Sequence, residues 1–145
     1  MLLSEIPKKV KELIDDKNIA HLATLKNNGS PHVTPVWIDR VDNTILINVS
    51  ENRLKLKNMK NDKRIALSIV NHNDSYEWAS IIGEVIDITN INADVHLDKL
   101  SQKYLGLSQF PWKQKGETRI IVKIAPKTVY YNWCEIFCQT VQKSI

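Results

Sequence analysis

Glycine is scarce in this chain, four in 145 residues, and cysteine is scarcer still at two. Neither G-x-G-x-x-G nor a Walker loop occurs, which removes the glycine-rich phosphate cradles of Rossmann and P-loop nucleotide sites. Cys134 and Cys138 stand four apart, without the C-x-x-C spacing of redox motifs or the further ligands of a zinc site, and are expected as free thiols. The four histidines, His21, His32, His72 and His96, show no metal-ligand spacing, so no metal is expected. No apolar run approaches the ~20 residues that span a bilayer, and the opening MLLSEIPKK turns charged too early for a signal peptide. A cytoplasmic protein without a membrane partner is therefore expected. No nucleophile, base and orienter form a set, and no catalytic side chain is assigned.

What the chain does have is enough apolar material, 43% of its residues, for one core and one domain over residues 1–145. Ile6, Val10, Leu13 and Ile14 recur at helical spacing, which predicts an amphipathic helix over residues 4–17. The period then changes. IAHLATL and HVTPVWI flank Asn27-Asn28-Gly29, a hairpin signal, and TILINV follows a second turn at Asp42-Asn43, so three consecutive antiparallel strands are expected. A helix capped by Ser50 and running over residues 52–60 comes next, then strands over 64–70 and 76–88. Gly83 inside the second of these signals a bulge, a bend or a close backbone approach. Ala93, Leu97, Leu100 and Tyr104 share a helix face that Gly106 is placed to end. SQFPWKQKGE reads as a loop with two exposed aromatics, and TRIIVKI and KTVYYNW as a pair of strands about a turn at Pro126. This order, with no βα repeat, points to an α+β domain built on an antiparallel barrel.

The charge is local. The net value is +4, yet SENRLKLKNMKNDKR alone sets six basic residues against Glu51 and Asp62. On a helix, Arg53, Lys57 and Lys60 fall on one stripe that can be a solvated face, while Lys55 turns toward the body of the protein. A lysine so directed either snorkels to water or meets an anion. Free N–H groups at the helix start, with Ser50, Arg53 and Lys55, would suit a phosphate. Duplex DNA calls for a basic surface spread over many phosphates, or for base-reading side chains, which Leu54, Leu56 and Met59 are not.

Taken together, IAHLATLKNNGSPHVTPVWI, NRLKLKNMKNDKRIALSIV, the Gly83 strand and PKTVYYNW resemble, in order and spacing, the pyridoxamine 5'-phosphate oxidase-like FMN-binding split β-barrel family, and within it the deazaflavin (coenzyme F420) branch. The resemblance covers roughly residues 5–133. It implies a split β-barrel with flanking helices that binds FMN or F420. It also implies a homodimer holding the cofactor at the subunit interface, and an oxidoreductase that passes a hydride between cofactor and a small organic substrate. Carried over position by position, it implies that Lys55 grips the cofactor phosphate beside Arg53 and Ser50. Thr34, Pro35, Val36 and Trp37 would run under the ring, and Asn48 and Val49 would line the same groove. Lys57 is included as a further cofactor contact. Trp78, Trp112 and Trp133 are candidates for a wall, and His32 and Tyr76 for a proton donor.

Two departures matter. Asp62-Lys63 stands where the family has Asp-Pro, and the R-L-x-P substrate segment of true pyridoxamine phosphate oxidases is missing, which counts against vitamin B6 oxidation. The alternatives to a flavin enzyme are a non-catalytic flavin carrier and a nucleic-acid-binding barrel. Against the latter, the aromatics do not interleave with the basic cluster, and no nucleic-acid partner is expected.

Overall fold

A computed structural model of the chain describes residues 5–134 and 140–144, with side chains as far as residue 133. Cys138 and the side chain of Cys134 therefore lie outside what is described. Helix α1 (Lys8–Asp15) precedes strands β1 (Ala20–Leu25), β2 (Pro31–Val36), β3 (Asp39–Val41) and β4 (Thr44–Ser50). Helix α2 (Leu54–Asn61) leads to β5 (Arg64–Asn71) and β6 (Asp74–Thr89), and helix α3 (Ala93–Leu105) to β7 (Arg119–Cys134) and β8 (Thr140–Ser144). Every strand pairing is antiparallel, and the sheet runs β2-β1-β5-β6-β7-β4-β3, with β8 added to β7. Its ends β2 and β3 do not pair, so the curled sheet stays open: an α+β split barrel.

The core follows from alternation. Strand β1 reads buried, exposed, buried along Ala20, His21 and Leu22, and β5 does the same with Ile65, Leu67 and Ile69. Ile45, Ile47, Ile81, Val122 and Ile124 complete an interior from which water is excluded. The stripe predicted for α1 buries Val10, Leu13 and Ile14 with Ile6 in that same interior. Among the described residues no helix is long and apolar enough to cross a membrane.

Two topological expectations are corrected. The third run, now β4, does not continue a meander from β2. It pairs with the short β3 and with β7, because β3 follows β2 after a two-residue break and the turn at Asp42, at φ 52°, folds β4 back onto β3. Nor does Pro126 turn the chain: β7 passes straight through it. Pro126 lies opposite Gly83 where the β6–β7 register shifts, the kind of irregular position at which a residue without an N–H is tolerated in a sheet. A Cβ on Gly83 would meet the Ala125 carbonyl oxygen at 2.8 Å and the Ile124 Cγ2 at 2.9 Å, so the two backbones approach closely there.

Strand β2 is an edge strand. Lys26 N–H donates to the Ser30 carbonyl at 2.9 Å, and the register runs from Leu25 opposite Pro31 to Ala20 opposite Val36. Even-numbered residues of β2 thus face β1, while Pro31, Val33 and Pro35 face the open side.

Candidate functional site

The basic stretch is organised by what lies under it. Leu56, Asn58 and Met59 are buried, and the Asn58 Nδ2 donates to Thr24 Oγ1 at 3.0 Å, pinning α2 to β1. With that face fixed, Lys57, Lys60, Lys63 and Arg64 are exposed while Lys55 is half-buried. The helix starts later than the sequence suggests. Ser50 ends β4 and does not cap α2: its carbonyl accepts from the Arg53 N–H at 3.1 Å, and Arg53 itself holds the cap position in extended backbone, without a side-chain cap. A turn between strand and helix takes up the residues where the capped first turn was expected.

Beside this turn lies a cavity of about 640 Å³. Strand β2 supplies Thr34, Pro35, Val36 and Trp37 at its end, β4 supplies Asn48, Val49 and Ser50, and the β4–α2 turn and α2 supply Arg53 and Lys55. Nine of the ten residues named from the sequence therefore meet around one space. Lys57 does not line it, because it points from the outer face of α2. Trp112 lines the cavity and is 63% exposed, whereas Trp78, Trp133, His32 and Tyr76 are not among its walls.

A second wall carries no signal in the sequence. Ile19, Leu97, Leu100 and Phe110 face the cavity, as does Arg119 at the start of β7. Phe110 is half-buried rather than exposed, because Trp37, Phe110 and Trp112 pack edge to face in series at 5.8 and 5.6 Å, with Tyr104 stacked on Trp37 at 5.1 Å. Nothing local marks Phe110 as different from Trp112. The Phe110 N–H bond to Asp98 Oδ1, at 2.9 Å, draws the loop against α3, together with the Ser101 hydroxyl donating to the Gln109 carbonyl at 3.2 Å.

Arg119 is held in place. Its Nη1 donates to Glu117 Oε1 at 2.7 Å and its Nε to Asn48 Oδ1 at 2.9 Å, with its side chain 12% exposed. Lys55 has no carboxylate partner among the described residues. Burial, then the positive charges of Arg53 and Arg119, lower its pKa below the ordinary lysine value. Thr34 Oγ1 is buried with no hydrogen-bond partner among the described residues. The cavity thus has a cationic end and an aromatic and aliphatic wall, and among the described residues no carboxylate, histidine or cysteine lines it. An anionic molecule with an apolar part fits that lining: its anionic group would meet Arg53 and Lys55, and its apolar part the aromatic and aliphatic wall.

The sequence profile of the pyridoxamine 5'-phosphate oxidase family matches residues 6–133. No curated protein matches the chain. Among solved structures, an F420 reductase is 24% identical with a TM-score of 0.76, covering 86% of this chain and 98% of its own. General Stress Protein 26 from Bacillus anthracis str. Sterne is 16% identical with a TM-score of 0.64, covering 94% of this chain and 97% of its own. HupZ from Group A Streptococcus is 17% identical with a TM-score of 0.62, covering 87% of this chain and 93% of its own. These likenesses show the fold.

Proposed function

The chain belongs to the pyridoxamine 5'-phosphate oxidase family, and from that membership we propose that it binds FMN or coenzyme F420 and acts as an oxidoreductase on a small organic substrate. The observation that carries this reading is the meeting of Lys55 and Arg53 with an aromatic wall in one cavity of about 640 Å³. That volume lies within the range of sites for ligands of this size.

Lys55 and Arg53 would hold the cofactor phosphate by charge-assisted hydrogen bonds. Thr34, Pro35 and Val36 would support the ring edge. Bound there, the ring supplies hydride transfer, and the protein contributes position, electrostatics and exclusion of water. Leu97, Leu100 and Phe110 give the apolar side of that exclusion.

F420 is named beside FMN because its acidic tail would leave the cavity past Arg53, where Lys57 and Lys60 are exposed on α2. The solved F420 reductase shares this fold. A second copy of the chain would complete the site in a homodimer: Trp112 stands at the cavity with most of its surface uncovered.

The test is the visible absorption spectrum of the purified protein, mass analysis of what denaturation releases, and titration of the stripped protein with FMN and with F420. Uptake of one of them at micromolar concentration supports the reading. A colourless protein that takes up neither overturns it.

A further inference from the structure

Behind the cavity wall, out of reach of anything bound there, lies a buried imidazole with both nitrogens engaged. His96 of α3 is 8% exposed and does not line the cavity. Its Nε2 is 3.0 Å from Asp39 Oδ2 on β3, and its Nδ1 is 3.1 Å from Asn48 Nδ2 on β4. Asn48 does line the cavity. Its amide nitrogen also donates to the Ala93 carbonyl at 2.8 Å, and its oxygen accepts from Arg119 Nε at 2.9 Å.

These contacts leave one consistent set of proton positions. A guanidinium only donates, so the Asn48 atom facing Arg119 is the oxygen, and the atom facing His96 is the NH2. His96 Nδ1 must then accept, which puts the ring proton on Nε2, toward the Asp39 carboxylate. Asp39 is fixed in turn by the Arg40 N–H at 2.8 Å and by Lys99 Nζ at 3.1 Å. Donors and acceptors therefore alternate without a break from Asp39 through His96 and Asn48 to Arg119, across β3, α3, β4 and β7.

We propose that Asp39 and His96 form a positioning dyad: they orient the Asn48 amide and, through it, hold the Arg119 guanidinium at the cavity wall. With both nitrogens bonded, His96 is no general base. Its work is to present an acceptor to an amide whose other end presents an acceptor to Arg119. A histidine that merely filled space would need neither the tautomer nor the polarity.

The functional part of this inference rests on the cavity being the ligand site proposed above, and the experiment keeps the two apart. In the wild-type protein without cofactor, long-range proton–nitrogen NMR of the histidine rings is expected to show His96 as the neutral Nε2–H tautomer. An Nδ1–H tautomer overturns the dyad, since Asn48 could not then donate to it.

His96→Gln keeps one acceptor and one donor, whereas His96→Phe keeps the bulk and neither. Hydrogen exchange at Arg119 Nε is expected to be as slow in His96→Gln as in wild type, and at least about 10-fold faster in folded His96→Phe. Affinity for FMN or F420 should fall about 10-fold in His96→Phe and stay within about 2-fold in His96→Gln. Unchanged exchange and affinity in His96→Phe would overturn the dyad, and if that variant does not fold, the wild-type tautomer decides. Should the wild-type protein take up neither cofactor, the proposed function falls, while the tautomer and the Arg119 exchange rate still uphold or overturn the dyad.

Discussion

Lys55 on α2 and Arg119 on β7 bring like charges to the same cavity, and burial, with the charges of Arg53 and then of that guanidinium, disfavours the charged form of the lysine. Glu117 compensates Arg119 at 2.7 Å, but no carboxylate among the described residues compensates Lys55. Such an arrangement is costly until an anion arrives.

Lys55→Ala is therefore expected to weaken cofactor binding about 10- to 100-fold, the loss of one charge-assisted phosphate contact worth ~1.5–3 kcal/mol. Lys60→Ala, on the exposed face of the same helix, should stay within about 2-fold. Fluorescence titration of the stripped proteins with FMN and with F420 measures both, and equal affinities would show Lys55 to be misassigned.

The same lysine should have the opposite effect on the empty protein. Its pKa is lowered in the folded state, so at neutral pH its charge opposes folding, and that penalty is relieved as pH rises through the folded value toward the ordinary one near 10.5. Lys55→Met should raise the melting temperature of the cofactor-free protein by about 1–2 °C at pH 7, the small size reflecting a half-exposed group. The gain should shrink as the buffer is made alkaline. Differential scanning calorimetry across pH 7–10 gives the comparison.

Gly83→Ala tests the close approach of β6 and β7. With a backbone oxygen 2.8 Å from the new Cβ, the strands must separate, at a cost of about 1–3 kcal/mol. That corresponds to a melting temperature lower by roughly 3–10 °C. A variant as stable as wild type would mean that the two strands are free to part at this point.

Asp39 governs behaviour in acid. Burial raises its pKa, but hydrogen bonds from His96, the Arg40 N–H and Lys99, with the Lys99 charge, outweigh burial and hold it at about 2. A carboxylate so depressed stabilises the fold above about pH 4, and that contribution is lost as pH falls toward 2. Urea unfolding of wild type should lose stability across this interval, and Asp39→Asn should lose less over the same interval. Asp62, also drawn to about 2 by Arg64, titrates in both proteins and cancels in the comparison.

Most of one cavity wall was legible because its residues sit in three short stretches. Thr34 to Trp37 end one strand and Asn48 to Ser50 another, and Lys55 stands out as a lysine on the inner side of a helix. Arg119 was not legible. It is one basic residue among several near a strand start, and it gains meaning only when β7 lies beside β4 and sets it against Ser50 in the register. The dyad was hidden for the same reason: Asp39 and His96 are far apart in sequence, and a lone buried histidine carries no local pattern. Strand β3, three residues long, is too short for its period to be seen, so β4 was joined to the wrong neighbour. Pro126 misled because proline is a sound turn signal in general. The register shift that admits it here, with Lys127 of β7 left over opposite the step from Ile82 to Gly83, is visible only once the two strands are paired.

The open side of β2 has a further consequence. Of its three outward-facing positions, Pro31 and Pro35 have no N–H to offer, and only Val33 between them carries a donor. A strand of another molecule that slid alongside would find two rungs of the ladder missing and could not extend the sheet. The edge that ends in Thr34, Pro35 and Val36 at the cavity is thus also the edge at which the protein guards itself against aggregation, so replacing Pro31, which does not line the cavity, puts solubility at risk in cells while leaving the cavity wall as it is.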